Sequence, residues 1–390
     1  MIKKYILPAV ITSSIIGLVG CSNEGESVEK ANTTPSVETQ TQTETTSPKS
    51  EKKEKIQRTI VDHFGNEVQL PEKIEKIAIV QLLPLPSVYA VYNGGDISSL
   101  VGMPPSSLNA AENSILKKFV PEIVDVTSDF IKDNKVNIEE LLNLNPDVVL
   151  YSGAGNTDIF KEAGLTAVGF IPGFEGPNTI EDVGNWIQLL EDVFQQDSKT
   201  TGIVEYGRDL EKLVAERVNN LPDKERKKIM IINSYNETAL AVAGKGTFGE
   251  YWTNAIGAIN VAMDASGNTI NMEQVYEWAP DKIFISTLTD VMPHNLYENT
   301  APTGHNWSSV AAVKNKEVYK YPLGIHRWYP TSTDAPLSLL WLAKNTYPEL
   351  FEDIDLNTTI KEYYKEFYNM NLTDEDVDWI LTPAENLGFK

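Results

Sequence analysis

A single cysteine, Cys21, stands among 390 residues. No disulfide can close within the chain, and no thiolate-based metal centre can be built from it. Histidine is almost as scarce. His63, His294, His305 and His326 are the only four, and their spacing matches no standard metal box. Positive charge is in deficit too: Lys and Arg number 33 against 55 Asp and Glu, for a net charge of −22. Such a surface repels nucleic acid and anionic headgroups, so no nucleic-acid partner is expected. There is no Gly-x-Ser-x-Gly elbow, phosphate-binding loop or His-Glu-x-x-His pair. The chain is therefore expected not to be an enzyme, with no catalytic residue and no resident cofactor. A long apolar run is also missing. The best stretch, Ile6 to Val19, is broken by Pro8, Thr12, Ser13 and Ser14. It is too short and too polar for a membrane span, and with Lys3 and Lys4 before it has the shape of a secretory signal.

The end of that signal is informative. Leu18-Val19-Gly20-Cys21 resembles a bacterial lipobox. The resemblance implies cleavage before Cys21 and a diacylglycerol on its sulfur. Residues 1–21 are then a lipoprotein signal peptide. Residues 22–56 are rich in Ser, Thr, Glu, Lys and Gln with almost nothing apolar. They cannot bury enough surface to offset ordering entropy, so they are expected to be a disordered tether. The expected location is the extracytoplasmic face of the cell membrane, held by lipid alone, as in a Gram-positive bacterium.

From residue 57 the composition becomes that of a folded body, 41% hydrophobic over the whole chain. Thr59–Val61 and Glu67–Leu70 flank Phe64-Gly65-Asn66, a hairpin signal. Continuous apolar runs come next at Lys76–Val80, Val148–Tyr151 and Ala167–Ile171, the kind buried in a parallel sheet. From Ile180 to Leu221 the apolar residues recur at helical spacing without proline, and the pattern allows a break near Gln195–Ser198. Strand candidates then resume at Ile229–Ile232, Lys282–Ile285 and Val318–Tyr321. The alternation predicts an α/β protein of two lobes: an N-terminal lobe over 57–178, a long connecting helix over 179–222, and a C-terminal lobe over 223–390.

The halves echo each other. Asn137-Ile138-Glu139 is followed by Pro146-Asp147 and an apolar strand. Asn271-Met272-Glu273 is followed, at the same spacing, by Pro280-Asp281 and another. Asn can cap a helix, and the Glu then lies in the first turn, where the macrodipole favours a carboxylate. Such punctuation is common between helices and strands, but matched spacing points to two related lobes.

These segments carry a likeness. Asp62-His63-Phe64-Gly65-Asn66-Glu67-Val68, the run from Asn137 to Val149, Ala312-Val313-Lys314-Asn315 through Tyr319, and Pro336-Leu337 through Leu350 occur in order. Together they resemble the periplasmic-binding-protein class that serves iron-siderophore, haem and cobalamin ABC importers. The likeness covers nearly all of the folded body. It implies two α/β lobes joined by a single long helix, with a ligand cleft between them. It also implies an ABC permease partner, docked through one surface Glu on each lobe. By motif position these are Glu139 and Glu273. An exposed first-turn carboxylate suits a bidentate guanidinium, and two of them fix orientation.

In open α/β sheets ligands sit outside the carboxyl ends of the strands. That rule selects Leu85, Ser152, Tyr235, Lys245 and the stretch His326-Arg327-Trp328-Tyr329 as ligand contacts. Arg327 could pair with carboxylate or catecholate oxygens in a forked geometry. Trp328 and Tyr329 could supply flat walls. His326, and His294 with it, could ligate a metal if neutral; both could equally be ordinary loop residues. The expected cargo is a metal chelate, a ferric siderophore or other iron complex first. Corrinoid, haem and nickel or cobalt chelates remain alternatives, and so does a surface adhesion lipoprotein with no cargo. The body is expected to be a monomer.

Overall fold

The computed structural model describes residues 58–173, 178–265, 269–385 and 387. The signal peptide, Cys21 and the tether lie outside these residues.

The first lobe is a parallel sheet of β1 (Ile77–Ile79), β2 (Leu100–Gly102), β3 (Val148–Tyr151) and β4 (Ala167–Gly169), in the order β2-β1-β3-β4. The second lobe has β5 (Lys228–Tyr235), β6 (Leu240–Val242), β7 (Lys282–Ile285) and β8 (Val318–Lys320), in the order β6-β5-β7-β8. All pairs in it are parallel except β6 with β5. A two-residue strand, Ile259–Asn260, pairs with the start of β5. The expected runs are therefore the strands. Those found in addition in these two sheets, β2, β6 and Ile259–Asn260, are two or three residues long, too short to show a periodicity.

Alternation explains why the long runs are apolar throughout. Ile77 and Ile79 face one core, while Ala78 and Val80 face another on the opposite side of the first sheet. Ile229 and Ile231 likewise face the first core, and Met230 and Ile232 a third. Each sheet is buried on both faces, so neither face can be polar. The first core is shared by both lobes. It runs along helices α1 (Leu85–Tyr92), α5 (Thr179–Phe194), α6 (Ile203–Val218), α8 (Ala335–Thr346) and α9 (Leu356–Tyr368). Between these in sequence lie α2 (Pro105–Glu112), α3 (Leu116–Phe119), α4 (Ile138–Asn143) and α7 (Met272–Trp278), with α10 (Asp374–Leu381) last.

The stretch 179–222 is helical but divided. Two helices of 16 residues each are separated by a loop that opens with Gln195 in the left-handed region, φ 50°, where the sequence allowed a break. They pack antiparallel. A Cβ on Gly207 would stand 2.6 Å from Ile180 Cγ2, and one on Gly184 3.1 Å from Val204 Cγ2. Gly184 and Gly207 thus mark where the two helices touch. Helix α5 packs on α1 of the first lobe and on α8, and α6, about 24 Å long, packs along α8.

The repeat is structural. The Asn137 side chain accepts from the N–H groups of Glu139 and Glu140, and that of Asn271 from Gln274 N–H. Asp147 accepts from Lys76 N–H at 2.9 Å just before β1; Asp281 accepts from Lys228 N–H at 2.8 Å at the start of β5. In return Asp147 N–H donates to Lys76 O and Asp281 N–H to Lys228 O, both at 2.8 Å. Each lobe begins its first strand with the same clasp.

Candidate functional site

The carboxyl ends of the strands meet around Arg327. On the first-lobe side, Gln81 and Leu83 follow β1, and Pro104, Pro105 and Ser106 follow β2. With Asn134 and two further apolar residues they enclose about 320 Å³. On the second-lobe side, residues at the end of β5 and in the loops after β5 and β7, among them Tyr235, Glu237 and Asp290, line about 500 Å³. Arg327 Nη1 donates to Thr287 O, just after β7, at 2.6 Å, and Nη2 to Ser106 Oγ at 3.4 Å. One guanidinium therefore touches both lobes.

That guanidinium is only 1% exposed, yet its Nε has no partner. Two neighbours in sequence or space share the condition. The Thr287 hydroxyl and His326 Nε2 are buried and unpartnered as well. Buried polar atoms are nearly always hydrogen-bonded, so three such atoms on Arg327, its sequence neighbour His326 and its bonding partner Thr287 leave hydrogen-bonding capacity beside Ser106, which lines the first-lobe cavity. Burial lowers the Arg327 pKa to about 10, with Asp290 pulling it back up, so the group stays charged at neutral pH. Burial, and then the Arg327 charge, push His326 down to about 3. The pair offers one cation and one neutral imidazole. Coulomb attraction there is stronger than in water, because the surroundings are poorly polarisable.

A network behind the loop holds it. The Asp334 carboxylate accepts from Ile325 N–H at 2.7 Å, Trp328 Nε1–H at 3.0 Å, Tyr364 Oη–H at 2.9 Å and Tyr368 Oη–H at 2.8 Å. Complete burial pushes its pKa up to about 6, against the pull of these donors. Gly324 makes room: a Cβ there would overlap Asp334 Oδ2.

The other expected contacts are dispersed. Trp328 is fully buried in the shared core, its indole turned to Asp334. Tyr329 packs against Tyr321 and Phe248, and its carbonyl accepts from Trp252 Nε1–H. The structure thus sets both rings in the core behind Arg327. Leu85 is buried there too, at the start of α1. Ser152 follows β3, and its carbonyl accepts from Asn156, which also bonds the cavity residue Gln81. Tyr235 lines the second-lobe cavity and pairs with His305 Nδ1 at 2.9 Å. Lys245 is exposed after β6 and lines neither cavity. His294 is 3.8 Å from Glu385, which lines the second-lobe cavity. Among the described residues no three His, Cys, Asp or Glu converge to hold a metal. Ser106 and Asp334 are the contributors that sequence reasoning missed. Ser106 follows a three-residue strand, and Asp334 reads locally as a helix N-cap before Ala335-Pro336.

Similarity to known proteins agrees with this layout. The family profile described as periplasmic binding protein matches residues 87–323. The chain belongs to the periplasmic binding proteins. A periplasmic solute binding protein from Veillonella parvula superposes with a TM-score of 0.72 at 31% identity, covering 83% of this chain and 96% of that one. The molybdate-binding protein MolA of Haemophilus influenzae is 26% identical over 338 residues, 80% of this chain and 91% of that protein. The ABC transporter substrate-binding lipoprotein YvrC of Bacillus subtilis is 23% identical over 361 residues, 90% of this chain and all of that protein. This periplasmic binding protein is the extracytoplasmic substrate-binding component of an ABC transporter, of a family that binds small ligands and works with ABC permeases. Among the described residues no helix is long and apolar enough to cross a membrane.

Proposed function

We propose that the protein captures an anionic, oxygen-rich metal species on Arg327 and delivers it to its permease. The observation that carries this reading is the buried, charged guanidinium with an unpartnered Nε, flanked by a neutral His326 and the unpartnered Thr287 hydroxyl. These groups can donate to oxygens of a small oxyanion of the molybdate type, the ligand named for the relative MolA. That is the first reading. The second is the ferric siderophore or other metal chelate expected from the sequence. Leu83, Pro104, Pro105, Ile131 and Val136 give the first-lobe cavity an apolar wall suited to an organic ligand. His326 Nε2, neutral and unpartnered, is available to either.

Delivery is proposed to use Glu139 and Glu273, both exposed in the first turn of a capped helix, one on each lobe. The anchor is proposed to be lipid on Cys21, at the outer face of a Gram-positive cell membrane, with the body acting as a monomer.

The test is a tryptophan-fluorescence titration with molybdate, tungstate, ferric siderophores of several charges, haemin, cobalamin and nickel–histidine. Saturable quenching by the oxyanions, lost in Arg327→Met, supports the first reading. A response to a ferric siderophore alone moves the cargo to the second. Flat traces across the panel would sink both.

A further inference from the structure

We propose that the C-terminal helices α9 and α10 position Arg327, and that the ion pair between Asp376 and Lys118 couples that placement to the first lobe. Two lines of contact start from adjacent residues of α3. Lys118 Nζ meets both carboxylate oxygens of Asp376 on α10, at 2.7 and 2.9 Å. Asp376 is 7% exposed and also accepts from the Thr373 N–H and hydroxyl, so it is fixed to its own helix start. At the other end of α10, Ile380 O accepts from Leu323 N–H at 3.0 Å. Leu323 opens the loop that carries His326 and Arg327. The second line begins at Phe119, whose ring lies 6.1 Å from that of Tyr368 on α9. Tyr368 and Tyr364 hold Asp334, and Asp334 holds Ile325 N–H and the Trp328 indole on either side of the same two residues.

The chain end closes the strap. Leu387 is 1% exposed and packs with Ala110 of α2 in the first lobe and Leu323 in the second. The loop is thus pinned at Leu323, Ile325 and Trp328 by elements that also grip the first lobe at Lys118, Phe119 and Ala110. Rigid helices pass displacement from one end to the other, so a change in lobe separation would be felt by the loop. Lys118, Asp376 and Asp334 are positioning residues: none touches the cleft groups Arg327 Nε or Thr287 Oγ1. The proposal rests on the reading of Arg327 as cargo anchor only for its functional consequence; the mechanical coupling stands without it.

Native-state hydrogen exchange on the full chain, with no cargo present, tests the coupling. Lys118→Glu sets like charges against each other and cuts the first line, so the Leu323 amide should then exchange at least about ten-fold faster, with a smaller rise at Ile325. Lys118→Arg, which keeps the pair, should restore wild-type rates. Phe119→Ala should speed Ile325 more than Leu323, because it cuts only the second line. Faster exchange in α10 with Leu323 and Ile325 unchanged would overturn the proposal, as would no change anywhere. Titration of Arg327→Met with molybdate and the ferric siderophores tests the cargo reading separately, because exchange is read without ligand.

Discussion

Arg327 of the second lobe lies 3.4 Å from the Ser106 hydroxyl of the first. The contact spans the cleft, yet at that length it is a weak hydrogen bond, and the guanidinium keeps an unpartnered Nε. A cargo oxygen would make better bonds there than the protein does. Arg327→Met is therefore expected to weaken cargo binding by about 2–3 kcal/mol, the range for charge-assisted bonds, and Ser106→Ala by no more than about 1 kcal/mol. Calorimetric titration of both variants checks the order. Equal losses would contradict the assignment of Arg327 as anchor.

His326 predicts a pH dependence of stability. Its folded pKa of about 3 lies below the unfolded value of 6.5. The unfolded chain takes up the proton first on acidification, so this contribution is complete above pH 6.5 and is lost as pH falls toward 3. Between about pH 7.5 and about pH 5 the loss from this group is about 2 kcal/mol. Urea unfolding should show His326→Gln losing less over that interval than the wild type. Parallel declines would mean His326 is not buried neutral.

Gly324 and Gly65 separate two reasons for glycine. Gly324 has no positive φ, but a Cβ would strike Asp334, Tyr364 and Trp328 within 2.6 Å. Gly324→Ala should cost about 2–3 kcal/mol, as overpacking does, and should also weaken cargo binding through the loop. Gly65 has φ +80° with open space around it. Gly65→Ala should cost about 1 kcal/mol and leave binding alone. Thermal melts and a titration of each variant check both expectations.

Charge reversal at Glu139 and Glu273 should leave the body folded, at less than about 1 kcal/mol per site, because both are exposed and lose only a helix-dipole interaction. Cargo affinity should be unchanged while uptake by cells carrying the double variant falls away. Normal uptake would remove these residues from the docking surface.

The lobes were legible because each long strand is buried on both faces, which leaves no position free to be polar. The repeat was legible, but the clasp only in part. Asn137 and Asn271 cap their own helices and so read locally, whereas Asp147 and Asp281 repeat as sequence but find their partners Lys76 and Lys228 71 and 53 residues away. The antiparallel packing of α5 on α6 was not legible. Gly184 and Gly207 mean a close approach only once their partners Val204 and Ile180 are known. The cluster at 326–329 was legible as chemistry but not as geometry. Which of four adjacent side chains faces a cleft depends on partners elsewhere in the chain.

Local order, the alternation of strands with helices, and the residue types of the cargo loop come from the sequence, because their causes act over a few neighbouring residues. The tertiary structure decided the rest. It turned Trp328 toward Asp334 and set Tyr364 and Tyr368 behind it. It brought Ser106 to within reach of Arg327 from 221 residues away. Burial in that assembled setting, not residue type, is what leaves one arginine charged, dehydrated and short of a partner.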